Sequence, residues 1–267
     1  MDINDFKTFI VPSGIGDFAW IYMKLCDLPY KINIEVISEQ DKSREFLKRS
    51  LPFLDLLPNI KSSRYLGYSM WFDEPVQEVD YNRLWIQANR HLEHGNRIET
   101  FLPELPTNLH FDINLPEVSD KFDIVLYTAS LRASMNWRGW DFDNWQYLLE
   151  LISDFNPNLK VAFVGANWDI DYLEFFQGID DISVYIGRDI GEVLALIKKA
   201  KVLVGFPSGI PILSTIMKVP TFMFYPIHLE PMMYTFNNPS LNNYTAAVFG
   251  DAEAEVENVF GWIQQWL

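Results

Sequence analysis

A short β-rich run, a turn built on Gly or Ser and a helix-length segment follow one another along this chain, and the same rhythm starts twice. Parallel strands need long crossover connections, usually a helix, whereas a two-residue turn suffices for an antiparallel pair. The alternation therefore selects a parallel α/β architecture over helix bundles and β-sandwiches. In the first half, strands are expected at Phe6 to Pro12 and Lys31 to Ile37, with helices over Asp17 to Cys26, Lys42 to Ser50 and Tyr81 to Glu93. The second half restarts with strands at Phe122 to Tyr127, Lys160 to Val164, Ile182 to Ile186, Lys201 to Gly205 and Thr221 to Tyr225. Helices are expected over Asp143 to Asp154, Asp169 to Gln177 and Ile190 to Lys199, after Ser208, and from Ala252 to Leu267.

Between the halves, Phe101 to Lys121 carries Pro103, Pro106 and Pro116 and little helical periodicity, as expected of an interdomain crossing. A boundary near residue 118 gives domains over 1–118 and 119–267. Open α/β sheets bind ligands outside the carboxyl ends of their strands, so two such sheets are expected to face a shared cleft.

Charge narrows the partners. With 36 acidic and 21 basic residues the formal net charge is −15, opposite in sign to proteins that hold nucleic-acid phosphate or an anionic membrane. Nucleic acid is not an expected partner, and a phosphorylated ligand has to be met by a local basic site. The single cysteine, Cys26, cannot form an internal disulfide, and Met1-Asp-Ile-Asn-Asp lacks the basic and apolar regions of a signal peptide, so a cytoplasmic location is expected. The longest apolar stretch, Ile210 to Tyr225, is interrupted by Pro211, Ser214, Thr215, Lys218 and Pro220, so no transmembrane segment is expected.

Three strand-to-helix connections carry residues suited to chemistry. In Pro12-Ser13-Gly14-Ile15-Gly16-Asp17, Gly14 and Gly16 permit a tight turn and the free amides of a helix start. Read as G-x-G-x-x-A through Ala19, with Glu39 further on, it fits a dinucleotide fingerprint. Asp17 opposes that reading, because a carboxylate at the helix start repels a pyrophosphate. It is also suited to accept a proton from a hydroxyl, although stabilisation of the helix start, worth ~0.3 to 1 kcal/mol, explains it too. In Gly205-Phe206-Pro207-Ser208-Gly209-Ile210, Ser208 can cap a buried apolar helix and Gly209 lets a phosphate or ribose approach the backbone; a plain turn is the other reading. The loop Leu131 to Trp140 holds Arg132 and Arg138, planar donors matched to phosphate. Of Trp137, Trp140 and Trp145, at least two are expected to close a core. His91 and His94 lie three residues apart with no second cluster of ligand spacing, so they are read as solvated surface and no metal is expected. The acids of Asp251 to Glu257 fit the first turns of the last helix.

Taken together these segments resemble the heptosyltransferase-like glycosyltransferases of family 9, which have the GT-B fold of two Rossmann-like domains. The resemblance rests on Gly14-Ile15-Gly16-Asp17, on Asn136 to Trp140 followed by Trp145, on Gly187 before a Leu-rich helix, and on Ala200 to Gly205 leading to Ser208-Gly209, Ile212-Leu213 and Val219-Pro220-Thr221. It implies inverting, metal-independent transfer of a sugar from a nucleotide-sugar co-substrate to an acceptor hydroxyl. The first domain would be on the acceptor side and the second would hold the donor. It implies Asp17 as base, with Ser13, Gly14 and Gly16 forming its loop, and Arg132, Arg138, Gly187, Ser208 and Gly209 on the donor. Pro207 stands where the family has Asp and Ile212 where it has His, so an ADP-heptose donor does not follow. The alternatives are an NAD-binding oxidoreductase and a nucleotide-binding module that has lost activity.

Overall fold

The computed structural model describes residues 2–38, 50–68, 74–127, 140, 142–169, 176, 179, 182–206, 208–225, 245–249 and 255–267. The chain divides into two compact units, Met1–Leu115 and Pro116–Leu267.

In the first unit, β1 (Thr8–Pro12), α1 (Ile15–Leu25), β2 (Ile32–Ser38) and β3 (Ile60–Tyr68) are followed by β4 (Val76–Asp80), β5 (Arg83–Ile86) and α2 (Ala88–Glu93). The sheet runs β3-β2-β1-β5-β4, parallel except for the β4–β5 hairpin. The helix expected over Tyr81 to Glu93 is therefore a turn, a strand and a shorter helix. Asp80 explains the difference: its carboxylate accepts from the Asn82 N–H at 3.0 Å and from Arg83 Nε at 2.7 Å, a side-chain-held turn that starts a hairpin instead of a helix. Leu84, Trp85 and Ile86 are then buried as β5 pairs with β1.

α1 buries every residue from Phe18 to Leu25. That includes Lys24, whose ammonium donates to the carbonyls of Leu105 at 3.2 Å and Glu99 at 3.4 Å, and burial pushes its pKa down. On β2, the nearly buried Glu35 accepts from Arg64 of β3 and, at 3.3 Å, from Arg83 of β5.

The second unit comprises β6 (Ile124–Tyr127), α3 (Phe142–Phe155), β7 (Val161–Gly165), β8 (Ile182–Ile186), α4 (Ile190–Lys199), β9 (Val202–Gly205), α5 (Gly209–Ile216), β10 (Thr221–Tyr225), β11 (Thr245–Phe249) and α6 (Val256–Gln264). Its strands run β11-β10-β9-β6-β7-β8, all parallel. Counted from β6 this is the 3-2-1-4-5-6 order of a Rossmann sheet, which reverses direction between β6 and β9. The last helix runs Val256–Gln264 after an extended Glu255; Ala252, where it was expected to start, lies outside the described residues. The strand β11 was not anticipated.

Trp140 and Trp145, 2 % and 0 % exposed, meet edge to face at 4.9 Å and pack with Phe224 in this unit's core. Two of the three tryptophans near the arginine loop therefore close the core, as expected; Trp137 lies outside the described residues. Among the described residues no helix is long and apolar enough to cross a membrane.

Candidate active site

The turn after β1 is set by its neighbours. Ser13 presents its carbonyl to the buried hydroxyl of Ser50, and the apolar wall behind it is formed by Val11, Phe18, Val36, Phe53 and Leu54. Gly14 is the N-cap of α1, extended at φ −71° and ψ 130°, with no capping side chain; Gly16 is the second helical residue. Asp17, half-buried in the first turn, folds back so that its Oδ2 occupies the place a Cβ on Gly14 would take. A side chain at position 14 would therefore require the Asp17 carboxylate to move. Asp17 stands in the first turn of α1, beyond the carboxyl end of β1, where the helix dipole suits a negative charge.

In the second unit, the register pairs Tyr127 with Gly205, so β6 and β9 end side by side at the reversal of the sheet. The chain leaving β9 passes the buried Phe206 and reaches Ser208, whose Oγ accepts from the Ile210 N–H at 3.4 Å. Ser208 is the N-cap of α5 and Gly209 its first residue. The cap expected from the sequence is present, and the helix behind it is buried from Ile210 to Ile216. Ile212 is 4 % exposed, a core position. Pro207, Glu39, Arg132 and Arg138 lie outside the described residues.

Gly187 follows β8 with φ +64°, donates its N–H to the Gly165 carbonyl at 3.0 Å, and has no room for a Cβ against the Asn167 side chain. Beside it, Asp169 is 1 % exposed and accepts from the Ala166 N–H at 2.8 Å. The ends of β7 and β8 are thereby tied into one polar corner. The sequence reading included Gly187 but missed Asn167 and Asp169, because a three-residue turn leaves no periodic signal.

A second missed feature is a segregation of cations. Every lysine of this unit precedes a strand or ends the helix before one: Lys121, Lys160, Lys198, Lys199, Lys201 and Lys218. Every arginine follows a strand: Arg132 and Arg138 after β6, Arg188 after β8. Arg188 is exposed, with its guanidinium 5.8 Å from the Tyr185 ring centre. The described lysines thus lie at the amino ends of the strands, whereas Arg188, the described arginine of this unit, lies beyond the carboxyl end of β8.

His94 is exposed as expected, whereas His91 is half-buried with Nε2 2.8 Å from Thr100 Oγ1, and burial pushes its pKa down. Among the described residues no group of three His, Cys, Asp or Glu side chains could hold a metal ion.

No protein-family model and no curated protein sequence matches the chain. Solved structures do. The ADP-heptose LPS heptosyltransferase II of E. coli is 10 % identical over 97 % of each chain, with a TM-score of 0.61. A glycosyl transferase family 9 protein of Veillonella parvula is 11 % identical over 98 % of this chain and 97 % of its own, with a TM-score of 0.61. The iron-containing dodecameric glycosyltransferase TibC of enterotoxigenic E. coli is 14 % identical over 100 % of this chain and 77 % of its own, with a TM-score of 0.57. The chain has the GT-B fold of these proteins.

Proposed function

We propose that this protein is a glycosyltransferase that moves a sugar from a nucleotide-activated donor to an acceptor hydroxyl, with inversion and without a metal. The observation that carries this reading is the Asp17 carboxylate, held over Gly14 at the end of β1 in a chain with the GT-B fold. In the proposed step Asp17 takes the proton of the acceptor hydroxyl as its oxygen attacks the anomeric carbon. The new C–O bond forms on the face opposite the breaking bond to the nucleoside diphosphate, so the anomeric configuration inverts. The departing diphosphate gains charge, which Arg138, Arg132 and the amides at Ser208 and Gly209 would offset, with Gly187 also assigned to the donor.

The NAD-linked alternative needs a pyrophosphate over the Gly14 to Gly16 turn. The Asp17 carboxylate puts negative charge into that space, which argues against it.

A screen of nucleoside diphosphates, nucleotide sugars and NAD by ligand-induced thermal stabilisation tests the reading. A diphosphate or its sugar is expected to raise the melting point, and Ser208→Ala to weaken that response. A response to NAD alone would overturn it, and tight diphosphate binding without transfer to any acceptor would favour the inactive module. Full transfer activity in excess chelator is expected; its loss would refute the metal-free step.

A further inference from the structure

α3 and α6 pack together over the core of the second unit, α6 through Val256, Val259 and Ile263. Trp145, Leu148, Leu149 and Ile152 already satisfy the buried face of α3. Beside it, Tyr147, Leu151 and Phe155 follow one another at four-residue spacing, with Leu151 half-buried against the core. This row is pinned to α6, where the Tyr147 hydroxyl donates to Glu257 Oε1 at 3.0 Å and the Phe155 ring meets Phe260 edge on at 6.0 Å. Its two ends stay in water, with Tyr147 39 % and Phe155 50 % exposed. Apolar surface left exposed beside such a helix seam offers a contact site.

Its surroundings are acidic. Asp143, Glu150 and Asp154 lie on α3, and Glu255 and Glu257 at the start of α6. The sequence holds no Lys or Arg from 139 to 159 or from 219 to 267. Lys201, near the end of the chain, is engaged by Asp123 at 3.0 Å and by the Leu267 carbonyl at 3.5 Å.

We propose that the α3–α6 seam docks a basic amphipathic helix of a partner protein. The partner's apolar side chains would cover Tyr147, Leu151, Phe155 and Phe260, while its Lys and Arg face Glu150, Asp154 and Glu257. A second copy of this chain would set those carboxylates against their own images, and an anionic bilayer meets the same repulsion.

The probe is a fluorescein-labelled helical peptide of Leu and Lys with one apolar face, titrated into the full chain by anisotropy; its Glu-for-Lys counterpart is the control. The Lys peptide is expected to bind and the Glu peptide not. Phe155→Ser and Glu150→Lys should each weaken binding on the order of tenfold, as loss of a central contact does. Both positions are exposed, so melting points should stay near that of the parent and nucleotide responses should not change. Binding indifferent to Phe155→Ser, equal binding of the Glu peptide, or failure of the Lys peptide to bind would overturn the proposal. So would Phe155-dependent dimerisation in sedimentation, or Phe155-dependent adsorption to phosphatidylglycerol vesicles.

Discussion

Replacing Gly14 by Ala separates the position of Asp17 from its chemistry. At φ −71° and ψ 130° the backbone suits any L residue, so the methyl adds no backbone strain. What it meets is Asp17: the new Cβ would overlap Oδ2 and lie 3.1 Å from Cγ and 3.6 Å from Cβ. The carboxylate has to move by about 1 Å, and a misplacement of that size costs on the order of 100-fold in rate. That is about 2.7 kcal/mol of activation free energy.

Stability should change far less. Ala is a poorer N-cap than Gly by about 1 kcal/mol, and the reduced freedom of the unfolded chain offsets about 0.4 to 1 kcal/mol of that. The assay is the initial rate of sugar transfer with the donor found by the screen, beside a melting curve. Gly14→Ala is expected to lose about 100-fold in kcat with a nearly unchanged Tm, and adding it to Asp17→Asn should cost little more, since both disable one group. A parent-like kcat in Gly14→Ala, or a full further loss in the double variant, would refute the reasoning.

Three further outcomes follow from the geometry. Gly187→Ala puts a methyl at φ +64° against Asn167; it should cost at least the roughly 1 to 2 kcal/mol of left-handed strain, and an unchanged Tm would contradict this. For Asp123, burial pushes the carboxyl pKa up, but the Lys160 N–H at 3.0 Å and the Lys201 ammonium outweigh it, so the folded value lies below 3.8. A depressed carboxylate stabilises the fold above the unfolded pKa and loses that contribution as pH falls through the folded one. Asp123→Asn should flatten the acid limb of the stability curve below about pH 4, and superimposable curves would exclude the linkage. Glu35→Gln should cost about 1 to 3 kcal/mol in urea denaturation. That is less than the 3 to 5 typical of a fully buried pair, because Arg64 is 67 % exposed and can rehydrate; no change would mean the ion pairs contribute nothing.

The strands at Ile182–Ile186 and Thr221–Tyr225 and the helix at Ile190–Lys199 coincide with their sequence readings, because each is a short β-rich run or an amphipathic segment bounded by Gly, Pro or a capping acid. The misreading at Tyr81 to Glu93 arose where tertiary pairing overrides local propensity: β5 is a strand because β1 needs a neighbour. At the site, the Ser208 cap was legible from residue type alone, since a Ser before a buried apolar run has few other uses. The relation between Gly14 and Asp17 was not, because it depends on the direction of one side chain. The segregation of Arg from Lys was present in the sequence, but it acquires meaning only once the strands' ends are known.

Transfer by Asp17→Asn at saturating donor and acceptor, measured beside donor affinity, tests the central claim most directly. Loss of a general base is expected to slow transfer by about 100- to 10,000-fold, while the donor binds as tightly as to the parent protein. Parent-like transfer by this variant, with donor binding intact, would contradict the assignment of Asp17 and the mechanism that rests on it.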